Sequence, residues 1–179
     1  MRLEKLIGDL LRKKGWTLSI AESCTGGLVC DRITDVPGSS DYFTGGMVTY
    51  SNESKEKHLG VSPDLIKRYG AVSPQVARRM AQGVRKTFNT TFGLSTTGVA
   101  GPTGGTKEKP VGLVFIGLAK GKKTWVMKLN LKGGRREIKE KAAEKTLQFL
   151  NTMLLYGDLP GKKGLKGRNE KRSVKERPF

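Results

Sequence analysis

The sequence has a single histidine, His58, and two cysteines, Cys24 and Cys30. A Ser-His-Asp triad or a histidine-based metal site would rest on His58 alone, and such sites need recognisable partners. His58 therefore reads as structural or surface, and no metal is expected. Two thiols build no disulfide framework, and their spacing fits no zinc pattern. Long apolar runs are also missing: nothing approaches the roughly 18 residues that cross a bilayer. Residues 1–14 alternate charge with leucine, whereas a signal peptide needs an unbroken apolar stretch. The expectation is a cytoplasmic protein with no membrane contact. Acidic residues are scarce, 16 against 34 Lys and Arg, which gives a net charge of +18.

Hydrophobic residues make up 36% of the 179, enough for a globular chain rather than a disordered one. The length points to one domain with a sizeable core. The positive charge suits anionic partners such as phosphorylated metabolites or nucleic acid. It equally suits plain solubility, or the charged surface of a protein that works at high temperature. Residues 157–179 hold eight Lys and Arg against three Asp and Glu, so +5 of the charge lies there. That stretch has no apolar periodicity and reads as a flexible basic tail behind a domain of residues 1–156.

Within the domain, Leu3, Leu6, Ile7, Leu10 and Leu11 follow helical spacing, and Gly15 ends that helix. Residues 17–21 read as a short buried strand. A second helix opens near Thr25 and stops before Pro37-Gly38. Residues 43–50 read as a strand broken by Gly45-Gly46. Ser51 or Asn52 caps a short helix that ends at Gly60. Ser62-Pro63 and Ser73-Pro74 are matching helix starts, each with a serine cap and proline at the first helical position. Residues 92–99 form a strand. Residues 111–119 and 124–131 are strands joined at Gly121-Lys122 as a hairpin, and a long helix spans 135–155. Alternating helices and strands with one late hairpin predict an α/β layered fold with a mixed sheet.

Three segments fall at strand ends, where open α/β sheets place their ligands. In the first, Ala21-Glu-Ser-Cys-Thr-Gly-Gly27, Ser23 sits in a tight turn before a helix. The backbone N–H groups of Thr25, Gly26 and Gly27 are expected to be free there and to favour developing negative charge. A serine beside such donors is a candidate nucleophile. Ser23 or Thr25 also fits as a plain helix cap. The second segment is Tyr50-Ser-Asn-Glu-Ser-Lys55. A serine without histidine needs another base, and lysine serves if burial lowers its pKa, with tyrosine as a proton relay. Lys55 also fits as one more surface charge. The third, residues 96–105, is a glycine-rich loop that matches neither the P-loop nor the dinucleotide-binding pattern. Its backbone is able to approach a ligand closely. Arg135, at the start of the last helix, offers a bidentate grip on phosphate, or plain surface charge.

In order and wording these segments resemble the CinA carboxy-terminal domain family. The matching stretches are AESCTGG at 21–27, VPGSSDYFTGGMVTYSNESK at 36–55, GAVS at 70–73, TTGVAGPTGG at 96–105 and KGGRREI at 132–138. The resemblance covers about residues 1–156. It implies a three-layer α/β/α sandwich with a mixed sheet, no cofactor and no metal, and commonly an oligomer of identical chains. It implies the activity of a nicotinamide-nucleotide amidase, which hydrolyses the carboxamide of nicotinamide mononucleotide to nicotinate mononucleotide and ammonia. The family's catalytic serine, tyrosine and lysine fall on Ser23, Tyr50 and Lys55. Substrate contacts are expected from Thr25, Gly26 and Gly27, from Gly98, Ala100, Gly101, Gly104 and Gly105, and from Arg135. Two positions depart from the family pattern: Gly134 where an acidic residue is frequent, and Lys139 where an arginine is frequent.

The leading expectation is an amidase working through a serine acyl-enzyme on a phosphorylated pyridine nucleotide. Its rival is a non-catalytic nucleotide- or nucleic-acid-binding protein, motivated by the net charge and the tail. No aromatic sheet surface of the RRM kind and no clear helix-turn-helix supports that rival.

Overall fold

A computed structural model describes residues 2–157. The 158–179 part of the expected tail lies outside the described residues. Five strands form one sheet: β1 Leu18–Glu22, β2 Phe43–Val48, β3 Phe92–Gly98, β4 Leu113–Lys120 and β5 Lys123–Asn130, in the order β2-β1-β3-β4-β5. β2, β1 and β3 run parallel, whereas β4 and β5 are antiparallel additions. Among the described residues the α-helices are α1 Leu3–Lys14, α2 Leu28–Thr34, α3 Asn52–Leu59, α4 Pro63–Tyr69, α5 Pro74–Thr87 and α6 Arg135–Tyr156. One face of the sheet carries α1, α2 and α6, whose Ile7, Leu11, Ile33, Leu147 and Leu150 pack on Leu18, Ile20, Leu94 and Ile116. The other carries α3, α4 and α5, with Leu59, Ile66, Val76 and Met80 around Ala21, and Ala77 against Leu113 and Phe115. This is the expected three-layer α/β/α sandwich with a mixed sheet.

Local signals account for most element ends. Gly15 adopts φ +61° after α1, and its N–H returns to Arg12 and Leu11 carbonyls. Ser51, Ser62 and Ser73 each accept from the amide three residues on. Two expectations are corrected. β2 runs through Gly45 and Gly46 as one strand with a bulge at Thr44, where the pairing passes from Leu18–Phe43 to Ser19–Gly45, and those glycines serve packing rather than a chain break. A Cβ at Gly45 would lie 2.6 Å from the Phe88 ring, and one at Gly46 would collide with Cys30 Sγ. And α2 begins at Leu28, not near Thr25. Its cap is distant in character: the Glu22 carboxylate, at the end of β1, accepts from the amides of Gly27 (2.9 Å), Val29 (3.2 Å) and Cys30 (2.8 Å).

Candidate active site

The three parallel strands end at one edge of the sheet, so the segments leaving them meet there. Ser23 comes directly after β1, Thr49 to Ser51 after β2, and the glycine-rich loop after β3. Thr49 N–H donates to Glu22 O at 2.8 Å and Ser23 N–H to Thr96 O at 3.0 Å, which extends the ladder one residue past the strands on both sides. Lys55, in the second turn of α3, reaches back under this edge. Its Nζ donates to Ser23 Oγ at 3.2 Å and to the carbonyls of Thr49 (2.8 Å), Tyr50 (3.0 Å) and Ser51 (3.4 Å).

Lys55 is 1% exposed. No carboxylate joins it among the described residues, since every partner of Nζ is a neutral oxygen. Burial pushes its pKa below the ordinary 10.5, against an opposing contribution from Cys24. In the ammonium form, Lys55 donates to Ser23. As a free amine it presents a lone pair to the Ser23 hydroxyl, the arrangement a general base needs. Burial, with Glu22 nearby, pushes the neighbouring Cys24 thiol up to about 12, which disfavours a thiolate there.

A cavity of about 210 Å³ opens over this pair. Ser23, Tyr50, Lys55, Gly98, Ala100 and Arg135 all line it, as the sequence suggests. Residues not singled out from the sequence line it too: Asn52, Ala71, Val72 and Thr97. Ala71 and Val72 come from the GAVS stretch before α5, held in place by Thr97 Oγ1 donating to Ala71 O at 2.9 Å. Only the family resemblance points at that stretch; nothing in its composition marks it.

The other expected contacts lie elsewhere. Thr25 is buried, its hydroxyl 2.7 Å from that of Thr96. The amides of Gly26 and Gly27 are not free: the first donates to Ser23 O at 3.1 Å, the second to Glu22. The start of α2 is thus occupied by the protein's own carboxylate. The amides of Cys24 and Thr25, next to Ser23, donate to no backbone carbonyl among the described residues. Gly104 and Gly105 stand outside the cavity, and Gly101 contributes a carbonyl that accepts from Arg135 Nη1 at 2.6 Å.

Arg135 also donates through Nη2 to the Tyr50 hydroxyl at 2.9 Å. Tyr50 therefore meets Lys55 through its backbone carbonyl, and its phenol is turned to Arg135. The direct Tyr50 relay expected from the sequence is not the arrangement seen. At 59% exposure its ring stands at the mouth of the cavity. Lys139, one turn beyond Arg135 on α6, brings its ammonium within 3.3 Å of where a Gly26 Cβ would be. Of these two cations of α6, Arg135 lines the cavity and Lys139 stands over the turn that follows Ser23.

Residues 1–154 match the CinA C-terminal domain family. The chain belongs to that family. It is 52% identical over 153 residues to a CinA-like protein of Kosmotoga olearia, covering 86% of this chain and 37% of that one. The chain thus spans little more than a third of the length of such relatives. Among solved structures it is similar to the competence/damage inducible protein CihA from Agrobacterium tumefaciens, at 36% identity and a TM-score of 0.79, covering 83% of this chain and 93% of that one. A CinA superfamily protein from Enterobacter cloacae gives 33% identity and a TM-score of 0.82, covering 85% and 90%. No helix among the described residues is long and apolar enough to cross a membrane.

Proposed function

We propose that this CinA domain is a serine amidase acting on nicotinamide mononucleotide. The observation that carries the chemistry is the buried Lys55 ammonium, bonded only to neutral oxygens and 3.2 Å from Ser23 Oγ. Burying a cation without a counter-charge costs several kcal/mol, and a proton acceptor of lowered pKa gives that cost a purpose. A non-catalytic binding protein has no such use for it. The substrate is the one the family resemblance implies, and the cavity suits its parts. A volume of about 210 Å³ is small for a whole nucleotide but admits an amide-bearing ring. The exposed Tyr50 ring offers its face to a cationic pyridinium, and Arg135 and Lys139 offer charge to the phosphate.

In this reading neutral Lys55 takes the Ser23 proton as Oγ attacks the carboxamide carbon. The oxyanion is held by the Cys24 and Thr25 amides. Lys55 returns the proton to the leaving nitrogen, ammonia departs, and an ester on Ser23 remains. Water, deprotonated by Lys55, attacks that ester, and Lys55 returns the proton to Ser23 Oγ as the C–O bond breaks, which releases the carboxylic acid and restores both residues. Ammonia release from nicotinamide mononucleotide by the purified chain tests the proposal. Ser23→Ala should lower turnover by at least about ten-thousandfold. It should scarcely alter the melting temperature, because Lys55 keeps three carbonyl acceptors. Full activity in Ser23→Ala, or none in the parent chain, refutes the reading.

A further inference from the structure

The charge of this protein is distributed unevenly between its two helical layers. Between Asp64 and Glu137 the sequence has fifteen Lys and Arg and one acidic residue, Glu108. Every ion pair among the described residues belongs to the α1–α2–α6 layer and its borders: Arg32 with Glu4 and Glu144, Arg12 with Asp9 and Asp41, and their neighbours. The described residues of the α3–α5 layer have none. Its acids, Glu53, Glu56 and Asp64, all precede α5, and α5 has no acidic residue at all.

On α5 the exposed cations Arg78 and Arg79 recur seven residues later as the half-buried Arg85 and the exposed Lys86, so they form two adjacent stripes along a helix of roughly 20 Å. Arg78, Arg79 and Arg85 donate to the carbonyls of Thr124, Gly60 and Thr90. Those contacts hold the guanidinium groups in place without neutralising them. Between α3 and α5 a cleft of about 330 Å³ is lined by His58, Arg79, Lys86 and the polar Gln82 and Thr87. It shares no residue with the cavity over Ser23.

A charged surface kept for solubility or heat resistance interleaves both signs in networks, as the opposite layer does. Along α5 one sign stands alone, and the acids of α3 and α4 pair with none of the cations of this layer among the described residues. We infer that the α3–α5 face is a docking surface for the phosphate backbone of duplex nucleic acid. Arginines held by carbonyls suit phosphate oxygens. A duplex presents one charge per roughly 1.7 Å, so a face of about 20 Å meets several phosphates at once. The exposed large apolar side chains are Val48, Tyr50, Val111, Leu155 and Tyr156, none of them on α3, α4 or α5. The face therefore lacks the wedge that enters a lipid surface and the aromatic core of a protein interface.

The test uses the full chain and a labelled DNA duplex of roughly 30 base pairs, titrated by anisotropy between about 50 and 200 mM salt. Lys57, Lys67 and Lys86 are exposed and hold no hydrogen-bond or ion-pair partner among the described residues, so K57Q/K67Q/K86Q removes charge and little else. K162Q/K163Q/K166Q removes the same charge from the tail. The slope of log affinity against log salt should fall by about two to three in the helix variant and by less than half as much in the tail variant. Ammonia release should be unchanged in the helix variant. An equal or larger loss in the tail variant, absence of binding by the parent chain, or tighter binding to phosphatidylserine vesicles than to duplex overturns the inference.

Discussion

Glu22→Gln is a sharp test of how this site is built. Glu22 is fully buried and its two oxygens accept from three amides, Gly27 and Val29 on Oε2 and Cys30 on Oε1. Glutamine has the same shape but one acceptor oxygen. If that oxygen serves Gly27 and Val29, the glutamine NH2 faces the Cys30 N–H, donor against donor. A buried donor left without a partner costs about 1–3 kcal/mol, and the bonds that survive lose their charge assistance. The sum is about 3 kcal/mol, and for a chain of this size that lowers the melting temperature by roughly 6–12 °C. Ser23 is the next residue, and the same turn aims the Cys24 and Thr25 amides. Turnover should therefore fall by about tenfold to a hundredfold, the range expected when reacting groups drift by fractions of an ångström. Differential scanning calorimetry and ammonia release on one preparation read both effects. A Glu22→Gln protein that melts within about 2 °C of the parent and turns over at the parental rate would falsify the assignment of Glu22 as the residue positioning this turn.

Three further outcomes are expected. Because burial lowers the Lys55 pKa, kcat/KM should rise with pH and level off at a midpoint below 10.5. Over that window the unfolded chain holds the proton more tightly than the folded one, so stability rises with pH as well. Lys55→Met should abolish both the turnover and this part of the stability increase, and a flat pH–rate profile contradicts the role. Gly93→Ala should destabilise by about 2 kcal/mol or more, because its Cβ would strike Ala81 O and the Arg85 backbone N at 2.9 Å; unchanged urea unfolding would show that α5 yields. A chain cut after Tyr156 should keep its amidase rate, since every proposed catalytic residue precedes that point. A loss of more than about tenfold, or roughly 1.4 kcal/mol in barrier, would show that the tail reaches the site.

Where the signal is local, the sequence is readable. Ser62-Pro63 and Ser73-Pro74 announce α4 and α5 because cap and first helical residue are chain neighbours. Gly15 and Gly121 sit where positive φ is required, at +61° and +55°. Ser23, Lys55 and Arg135 stand out because hydroxyl, amine and guanidinium occur beside predicted strand ends or helix starts, although their partnership rests on the family resemblance. The hidden features depend on contacts between segments. Gly45-Gly46 looks like a break until Phe88 and Cys30 are brought against it. Glu22 looks like a strand residue until α2 presents its amides. Gly26 and Gly27 look like free donors for the same reason. Tyr50 and Arg135 are 85 positions apart, and neither announces the other.

The bulge in β2 acts as a vernier for the proposed catalytic pair, Ser23 and Lys55. Leu18 stands opposite Phe43 and Ser19 opposite Gly45, so Thr44 is the extra residue, and beyond it the strands run in step to Glu22 and Val48. Ser23 and Thr49, whose carbonyl holds Lys55, are the next residues on each strand. A slip of one residue would move Lys55's anchors by about 3.3 Å and turn alternate side chains to the wrong face. Amidase activity would then report the alignment of two parallel strands. In a refolding experiment it should return only with the fraction of chains that have paired β1 and β2 in register, even if helical signal recovers earlier.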